Sequence, residues 1–328
     1  MRALVMTAPG GSDESQVQEV EAPLPGPGEV TIDVAYAGLN FVDVMARRGD
    51  AGYVQQWPYR PGKEVSGTVR ALGEGVTGLA VGDRVVAAPV GGGLAEVAIA
   101  PAALTVPAPD GVPLREAAAV PLGLATAMLL LDDAGRFTPG DTVLVHSAGG
   151  GIGQAIARLL PLLGGGTLIG TVGRPDKTAA AVASGYDHAF ARDATLADSV
   201  RTATAGRGVD LILDPLGTEA LDLDLDLAAP GGRIVLFGNA GGGGLDALPP
   251  LGRLMAGNLT VTGFSHRALA ATAPDRLARA ITRVLALLAA GSLTTPVTEL
   301  AGLEAVPAAH DAMHDRRALG KYVVRVRG

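Results

Sequence analysis

The segment 141–173 constrains the fold of this chain more than any other part of the sequence. An apolar run at 143–145 leads into a glycine-rich turn at 147–153, and a second apolar run follows at 168–172. Between the turn and the second run, apolar residues recur at the three-to-four-residue spacing that marks one face of a helix. The order of strand, glycine turn, helix and strand predicts a βαβ unit of the type that binds a dinucleotide.

The glycine turn carries the physical argument for a bound pyrophosphate. Ala148, Gly150 and Gly153 occupy the three positions of the G-x-G-x-x-G pattern, with alanine in the first. A pyrophosphate can approach the positive end of a helix only where no side chain covers the backbone amides. We therefore expect Ala148, Gly150, Gly151, Ile152 and Gly153 to contact the cofactor. The alternative is a glycine-rich loop that only caps a sheet, but the flanking strand and helix favour the dinucleotide.

The end of the second strand indicates which dinucleotide binds. NAD sites usually carry a carboxylate about twenty residues past the glycines, where it accepts hydrogen bonds from the ribose. In this chain Gly173 occupies that position, and Arg174 and Lys177 follow it. A guanidinium and an ammonium attract a 2′-phosphate, so the sequence favours NADP(H). The alternative is that both cations are solvated charges at a helix start, where Asp176 accompanies them.

Composition limits the class of protein. The 328 residues are enough for two domains, and a chain with 48% hydrophobic and 18% charged residues is typical of a soluble globular protein. The formal net charge of −7 makes nucleic acid an unexpected partner. The chain has no cysteine, which excludes disulfides and thiolate zinc sites and fits a cytoplasmic location.

No secretory signal or membrane span is expected. The chain starts without a charged segment followed by an apolar one. The longest apolar run, 117–131, contains Pro121 and is too short to cross a bilayer, so it predicts a buried helix.

Short apolar runs between Gly, Pro and Asp clusters predict β-strands in the first hundred residues, arranged as a partly open β-barrel. These runs lie at 4–6, 30–37, 65–72, 84–88 and 95–99. The segment 101–113 contains four prolines and is predicted to be a linker.

From about residue 114 the pattern changes to helices that alternate with strands, which predicts a doubly wound parallel sheet. Besides the βαβ unit, strands are predicted at 188–190, 209–214, 233–237 and 259–264, with helices at 177–184 and 196–204. The segment 219–228 alternates Leu and Asp as a strand does, yet two parallel strands need a crossover, so we predict a helix.

The tail returns to mixed structure and is expected to join the first domain. Its predicted elements are a helix at 275–290, a strand near Val297, a helix at 303–317 and a strand at 321–326. The predicted domains are therefore 1–121 with 265–328, and 122–264.

Several motifs in order add a family resemblance. They are 37–44 (AGLNFVDV), 61–67 (PGKEVSG), 75–84, 118–121 with Thr126, the glycine turn, and 229–239 (APGGRIVLFGN). Together they resemble the zinc-independent branch of the medium-chain dehydrogenase/reductases, the quinone oxidoreductases related to zeta-crystallin. The resemblance implies an α/β chain with a GroES-like domain, a Rossmann domain and a homodimer.

The resemblance also implies chemistry without a metal. Zinc-dependent relatives carry Cys where this chain has Asn40 and His where it has Lys63, and neither replacement is a good zinc ligand. Asn40 is the candidate hydrogen-bond donor to the substrate oxygen or to the nicotinamide ribose, or else it stabilises a turn. Lys63 could place positive charge near the oxyanion, or be solvated or salt-bridged. Asp43 is expected to support the loop after Asn40, and His146 to be packed and hydrogen-bonded.

Further contacts follow from the resemblance alone. Thr126 is expected to contact the cofactor, and Arg192 takes the place of a tyrosine that lies against the phosphate in relatives. The residues expected beside the nicotinamide are Phe237, Gly238, Asn239, Phe264 and Ser265. Bacterial quinone reductases carry tyrosines after the Asn-x-x-Asp motif, where this chain has Met45 and Arg48, with Tyr53 farther on, so these three are the candidate substrate contacts.

Three functions fit these observations. The first is an NADPH-dependent reductase of quinones or α,β-unsaturated carbonyl compounds, because a conjugated acceptor spreads the negative charge that zinc would otherwise stabilise. The second is a stand-alone enoyl-thioester reductase, since 38–44 also resembles the enoyl reductase domains of polyketide synthases. The third is an NADPH-binding protein that works by interaction without turnover.

Overall fold

The computed structural model describes residues 1–242 and 251–327. The chain divides into two compact units. The first unit comprises Met1–Thr126 and His266–Gly328, and the second comprises Ala127–Ser265. The sequence analysis placed these boundaries after residues 121 and 264.

The N-terminal part of the first unit consists mainly of strands. They are β1 (Arg2–Met6), β2 (Ser15–Glu19), β3 (Glu29–Gly38), β4 (Val65–Leu72), β5 (Arg84–Ala87), β6 (Val97–Pro101) and β7 (Thr105–Pro107), with helices α1 (Phe41–Arg48) and α2 (Leu114–Ala117). In β3 the alternating residues Val30, Ile32 and Val34 are fully buried, as expected where one face of a strand packs on a core. The five predicted strands are confirmed. Strand β2 was missed because Val17 is its single apolar residue.

The segment 101–113 is not a linker, and that prediction was wrong. Strand β7 lies inside it and pairs antiparallel with β5, with Val106 opposite Val86. Leu104 is buried, and the Thr105 hydroxyl donates to the carbonyl of Pro101 at 2.9 Å. Strand β7 lies at the edge of its sheet, where proline is tolerated, so a proline-rich segment can still be part of the barrel.

The positions after Asn40 form a helix rather than the predicted loop. Asn40 is the N-cap residue of α1, and its backbone N–H donates to the Asp43 carboxylate at 3.2 Å. At the other end of α1, Gly49 adopts a left-handed conformation with φ of 78°, which suits glycine. Asn40 therefore lies at a fixed junction between β3 and α1.

The second unit is a doubly wound parallel sheet, as predicted. Its strands are β8 (Thr142–His146), β9 (Thr167–Val172), β10 (His188–Ala191), β11 (Val209–Asp214), β12 (Ala228–Leu236) and β13 (Thr260–Gly263). The strand order is β10-β9-β8-β11-β12-β13, and all neighbouring strands run parallel. The helices between residues 125 and 257 are α3 (Ala125–Leu129), α4 (Gly151–Leu159), α5 (Thr178–Ala183), α6 (Leu196–Ala203), α7 (Thr218–Leu227) and α8 (Leu251–Gly257). The core includes Leu144, Ile169, Ile212 and Ile234, one from each of four adjacent strands.

The segment of alternating Leu and Asp is helix α7, which confirms the topological prediction. Leu221 and Leu225, four residues apart, are buried against the sheet. Asp222 and Asp226 are exposed and both bind Arg253, at 2.9 and 2.6 Å. A crossover helix thus overrides the local strand pattern.

The C-terminal segment completes the first unit, as predicted. Its elements are α9 (His266–Thr272), α10 (Pro274–Ala289), β14 (Val297–Ala301), α11 (Val306–His314) and β15 (Lys321–Arg325). Strand β15 pairs antiparallel with β3, and the main sheet has the order β14-β15-β3-β4-β5-β7 with β6 also on β3. The last strand of the chain therefore lies beside the strand that leads to Asn40.

Among the described residues, no helix combines the length and apolar character that a bilayer crossing requires.

Candidate active site and cofactor-binding residues

The glycine turn brings the backbone at the start of α4 close to the end of β8. Ser147 adopts φ of 61°, and Gly150 is the N-cap residue of α4. A β-carbon at Gly153 would lie 2.5 Å from the carbonyl oxygen of Ala148, so no larger residue fits there without movement. The first amides of a helix have no partner within the helix and favour an anion. This geometry fits the pyrophosphate of a dinucleotide.

The predicted cofactor residues of the second unit lie just after the carboxyl ends of the strands of its sheet. Gly150 follows β8, Gly173 follows β9 and Arg192 follows β10. Phe237 follows β12, and Phe264 follows β13. In open α/β sheets, ligands bind outside the carboxyl ends of the strands, which is where these five positions are.

A group of cations lies beyond the end of β9. The Arg174 guanidinium binds the Asp176 carboxylate, with Nε to Oδ1 at 3.0 Å and Nη2 to Oδ2 at 3.1 Å, and both side chains are at least half exposed. Burial and, next, the Arg174 charge lower the pKa of the Lys177 ammonium. Arg192 donates from Nη1 to the Thr171 hydroxyl at 3.5 Å. The three cations Arg174, Lys177 and Arg192 outnumber the two neighbouring carboxylates, Asp176 and Asp193, so this end of the site has excess positive charge.

Behind the glycine turn is a buried group that the sequence analysis did not identify. His146 binds the Thr171 hydroxyl through Nδ1 at 2.8 Å and the Asp224 carboxylate through Nε2 at 2.7 Å, which confirms that it is packed and hydrogen-bonded. Asp214 lies beside them, and a ring nitrogen of His146 and one carboxylate oxygen from each aspartate lie within 4.8 Å of one another. Asp224 was hidden in the Leu-Asp alternation, where nothing distinguishes it from its exposed neighbours.

The cluster places two buried carboxyl groups close together. One carboxylate oxygen of Asp214 and one of Asp224 are buried with no hydrogen-bond partner among the described residues. Burial, followed by the neighbouring Asp224 charge, raises the pKa of Asp214 to about 7. A proton on Asp214 removes one negative charge from the cluster.

In the first unit, Asn40 is held by two charged side chains. Its Nδ2 donates to Glu64 Oε1 at 2.9 Å, and its Oδ1 accepts from Lys321 Nζ at 2.8 Å. Asn40 is 8% exposed, and Glu64 is fully buried. Lys321 and Glu64 also form a direct ion pair. The sequence analysis assigned no role to Glu64 and did not single out Lys321, because no local pattern connects the start of β15 to Asn40.

Lys63 and Asp43 lie near this network. Lys63 Nζ donates to the carbonyl of Val90 at 2.5 Å, and burial lowers the pKa of this ammonium. Asp43 is fully buried and accepts from the backbone amides of Asn40 and Gly62, at 3.2 and 3.0 Å, so it supports the start of α1 as expected. Burial nevertheless raises the pKa of Asp43.

The three candidate substrate contacts differ in accessibility. Met45 is 5% exposed and belongs to the core. Arg48 binds Asp50 through Nε at 3.1 Å and lies 5.7 Å from the centre of the Phe41 ring. Tyr53 is half-buried, and burial raises the pKa of its hydroxyl. Arg48 and Tyr53 are therefore more accessible to a ligand than Met45.

Thr126, the last residue of the N-terminal segment of the first unit, tests whether the predicted cofactor contacts fit a ligand. Its hydroxyl oxygen is buried and has no hydrogen-bond partner among the described residues. A buried hydroxyl without a partner is costly, so a polar ligand group that binds it would be favoured.

Comparison with known proteins places this geometry in a family. Residues 26–110 match the family model "Alcohol dehydrogenase GroES-like domain", and residues 151–284 match "Zinc-binding dehydrogenase". The synaptic vesicle membrane protein VAT-1 homolog-like of Mus musculus is 33% identical over 343 residues, which cover 99% of this chain and 81% of that protein.

Two further relatives carry an activity or a cofactor in their names. A probable quinone oxidoreductase of Schizosaccharomyces pombe is 37% identical over 241 residues, covering 73% of this chain and 72% of that protein. The structure of Escherichia coli quinone oxidoreductase complexed with NADPH matches with a TM-score of 0.90 and 27% identity, covering 99% of this chain and 100% of that one. The chain therefore belongs to the medium-chain dehydrogenase/reductase family of oxidoreductases, with the fold of its quinone oxidoreductase-like members.

Proposed function

We propose that this protein is an NADPH-dependent oxidoreductase that transfers hydride to a quinone or an α,β-unsaturated carbonyl compound without a metal. The observation that carries the proposal is the state of the two positions where zinc-dependent relatives bind metal. Asn40 is tied to Glu64 and Lys321, and the Lys63 ammonium donates to a backbone carbonyl. An amide and an ammonium in these bonds are poor zinc donors.

The cofactor assignment is supported by the glycine turn and the cations beyond β9. The bare backbone at Gly150–Gly153 suits a pyrophosphate, and the predicted contacts Gly173, Arg174, Lys177 and Arg192 suit a 2′-phosphate. The NADPH in the Escherichia coli relative supports the same assignment. Bound NADPH supplies the hydride.

The residues of this chain then have defined roles. Asn40 donates a hydrogen bond to the substrate oxygen, where it stabilises negative charge as it develops, or to the nicotinamide ribose, where it positions the cofactor. Lys63, whose pKa is lowered by burial, adds positive charge near that oxygen. A conjugated acceptor delocalises the remaining charge, so a Lewis acid is not required.

The test is oxidation of NADPH by a panel of acceptors: a quinone, a simple enone and a crotonyl thioester. We expect turnover with the quinone or the enone. Turnover with the thioester alone would identify an enoyl-thioester reductase. Binding of NADPH, followed by fluorescence, without oxidation by any of the three would contradict the proposal and favour a non-catalytic protein.

A further inference from the structure

Glu64 and Lys321 form a buried ion pair in which every strong hydrogen-bonding position is used. Lys321 Nζ donates to the carbonyl of Leu39 and to Asn40 Oδ1, each at 2.8 Å, and contacts Glu64 Oε1. Glu64 Oε2 accepts from the backbone amides of Leu122 and Gly123, at 2.9 and 3.1 Å. An ammonium has three hydrogens, so Lys321 has none left for a substrate.

We propose that Glu64 and Lys321 are positioning residues that fix the Asn40 amide in the one orientation the reaction needs. A lysine ammonium can only donate, and a carboxylate can only accept. The amide oxygen of Asn40 must therefore face Lys321, and its NH₂ group must face Glu64. A flipped amide would place its NH₂ group against the ammonium and its oxygen against the carboxylate. The charged pair thus sets both the place and the direction of the donor.

This arrangement leaves one amide hydrogen of Asn40 for another acceptor. The first hydrogen goes to Glu64. The second has a contact of 3.4 Å with the carbonyl of Gly38, which is longer than the usual range for an N–H···O bond. An oxygen of the substrate or of the nicotinamide ribose can replace that weak contact. This step rests on the proposed function, because it assigns the acceptor to the reaction.

The backbone around the pair is shaped to admit it. A β-carbon at Gly38 would overlap the Glu64 carboxylate, so glycine is needed at the end of β3. Lys321 comes from β15, which pairs antiparallel with β3. The return of the chain to the first unit therefore delivers the cation that orients Asn40.

A double-mutant cycle between Lys321 and Asn40 tests the proposal in the full-length protein. Lys321→Met is expected to lower kcat by roughly tenfold or more. The Kd of NADPH should change less than about twofold if Asn40 donates to the substrate oxygen, and should rise if Asn40 donates to the nicotinamide ribose. In an Asn40→Ala background, Lys321→Met should add less than about a twofold loss, because its effect passes through Asn40. Losses that multiply across the two sites would overturn the proposal.

Two further variants separate positioning from a structural effect. Lys321→Met combined with Glu64→Gln leaves no buried lone charge but removes the charges that orient the amide, so kcat should stay low. Recovery of kcat to the wild-type value would show that only the lone charge mattered and would overturn the proposal. Arg325→Met is the matched control, since Arg325 lies in the same strand as Lys321 and forms a partly exposed ion pair with Glu299 of β14, so its loss should leave kcat unchanged.

A readout that needs no turnover completes the test. In ¹⁵N-labelled wild-type protein, the Asn40 side-chain amide should give two separate resonances that are absent from Asn40→Ala. In Lys321→Met combined with Glu64→Gln, both resonances should shift towards the positions typical of unconstrained asparagine amides, because the charges that hold the amide are gone. Unchanged resonances would refute the positioning role, whereas a wild-type protein that oxidises no NADPH would refute the proposed function instead.

Discussion

Two buried charged groups, one around Asn40 and one around His146, differ in how their charges are balanced. In the first unit, Glu64 and Lys321 balance each other, and their polar atoms have partners. In the second unit, Asp214 and Asp224 exceed the single imidazole of His146, and two carboxylate oxygens have no partner among the described residues. A balanced ion pair holds its side chains in one geometry. A group with excess charge of one sign is stabilised when a proton or an ion of opposite charge binds to it.

The cation group beyond β9 is a second case of unbalanced charge in the second unit. Lys177 has a lowered pKa, caused by burial and by the Arg174 charge. A phosphate would relieve this repulsion in the same way that a proton relieves the repulsion between the two aspartates. The comparison predicts different responses to mutation in the balanced and unbalanced groups.

The largest effect is expected from breaking the balanced pair. Lys321→Met leaves Glu64 buried without a cation and should lower the free energy of unfolding by about 3–5 kcal/mol. Adding Glu64→Gln should restore most of that loss. Urea denaturation measures both values. A single variant as stable as the wild type would show that Lys321 does not compensate the buried charge of Glu64.

The next effect concerns the cation group. Lys177→Glu should weaken NADPH binding by roughly ten- to a hundredfold, because a carboxylate repels the 2′-phosphate. NADH lacks this phosphate, so its Kd should change far less. Nucleotide fluorescence titration gives both constants. Equal losses for the two nucleotides would contradict the phosphate assignment.

A pH effect is expected from the aspartate cluster. The pKa of Asp214 is raised to about 7 in the folded protein, so the unfolded chain loses this proton at lower pH than the folded one. The contribution to stability is therefore present at low pH and is lost as the pH rises towards about 7, with a slope of at most about 1.4 kcal/mol per pH unit.

Asp214→Asn is the matched variant for this effect, because it keeps the shape and removes the titration. Its free energy of unfolding should lack the decline seen in the wild type between roughly pH 5 and pH 7. Parallel curves for the two proteins would show that Asp214 does not hold a proton in the folded state.

The smallest effect is expected at the surface. Arg325 and Glu299 form an ion pair with both side chains partly exposed. Arg325→Met should change the free energy of unfolding by less than about 1 kcal/mol, since solvent screens such pairs. A loss of unfolding free energy as large as that of Lys321→Met would show that the difference in burial between the two ion pairs does not determine their contribution to stability.

Much of the fold could be predicted because hydrophobic period and chain topology agree. The βαβ unit, the parallel sheet and the return of the tail follow from apolar runs and from the need for crossovers. Helix α7 shows that topology outweighs a local strand pattern. The segment 101–113 shows the reverse error, since its prolines suggested a linker although an edge strand tolerates them.

The site was only partly predictable. Asn40 and the glycine turn carry local motifs, so the sequence can point to them. Lys321 and Asp224 act through contacts with residues far away in the chain, at Asn40 and His146. Such partners depend on how strands align in the sheet and which side of a helix is buried, and a single sequence does not specify either at the level of one side chain.

The central claim is that hydride transfer from NADPH occurs without a metal. The most direct measurement is the rate of NADPH oxidation by the best acceptor of the panel, before and after exhaustive treatment with a metal chelator. We predict the same rate in both conditions. A rate that disappears with the chelator and returns on addition of Zn²⁺ would contradict the account.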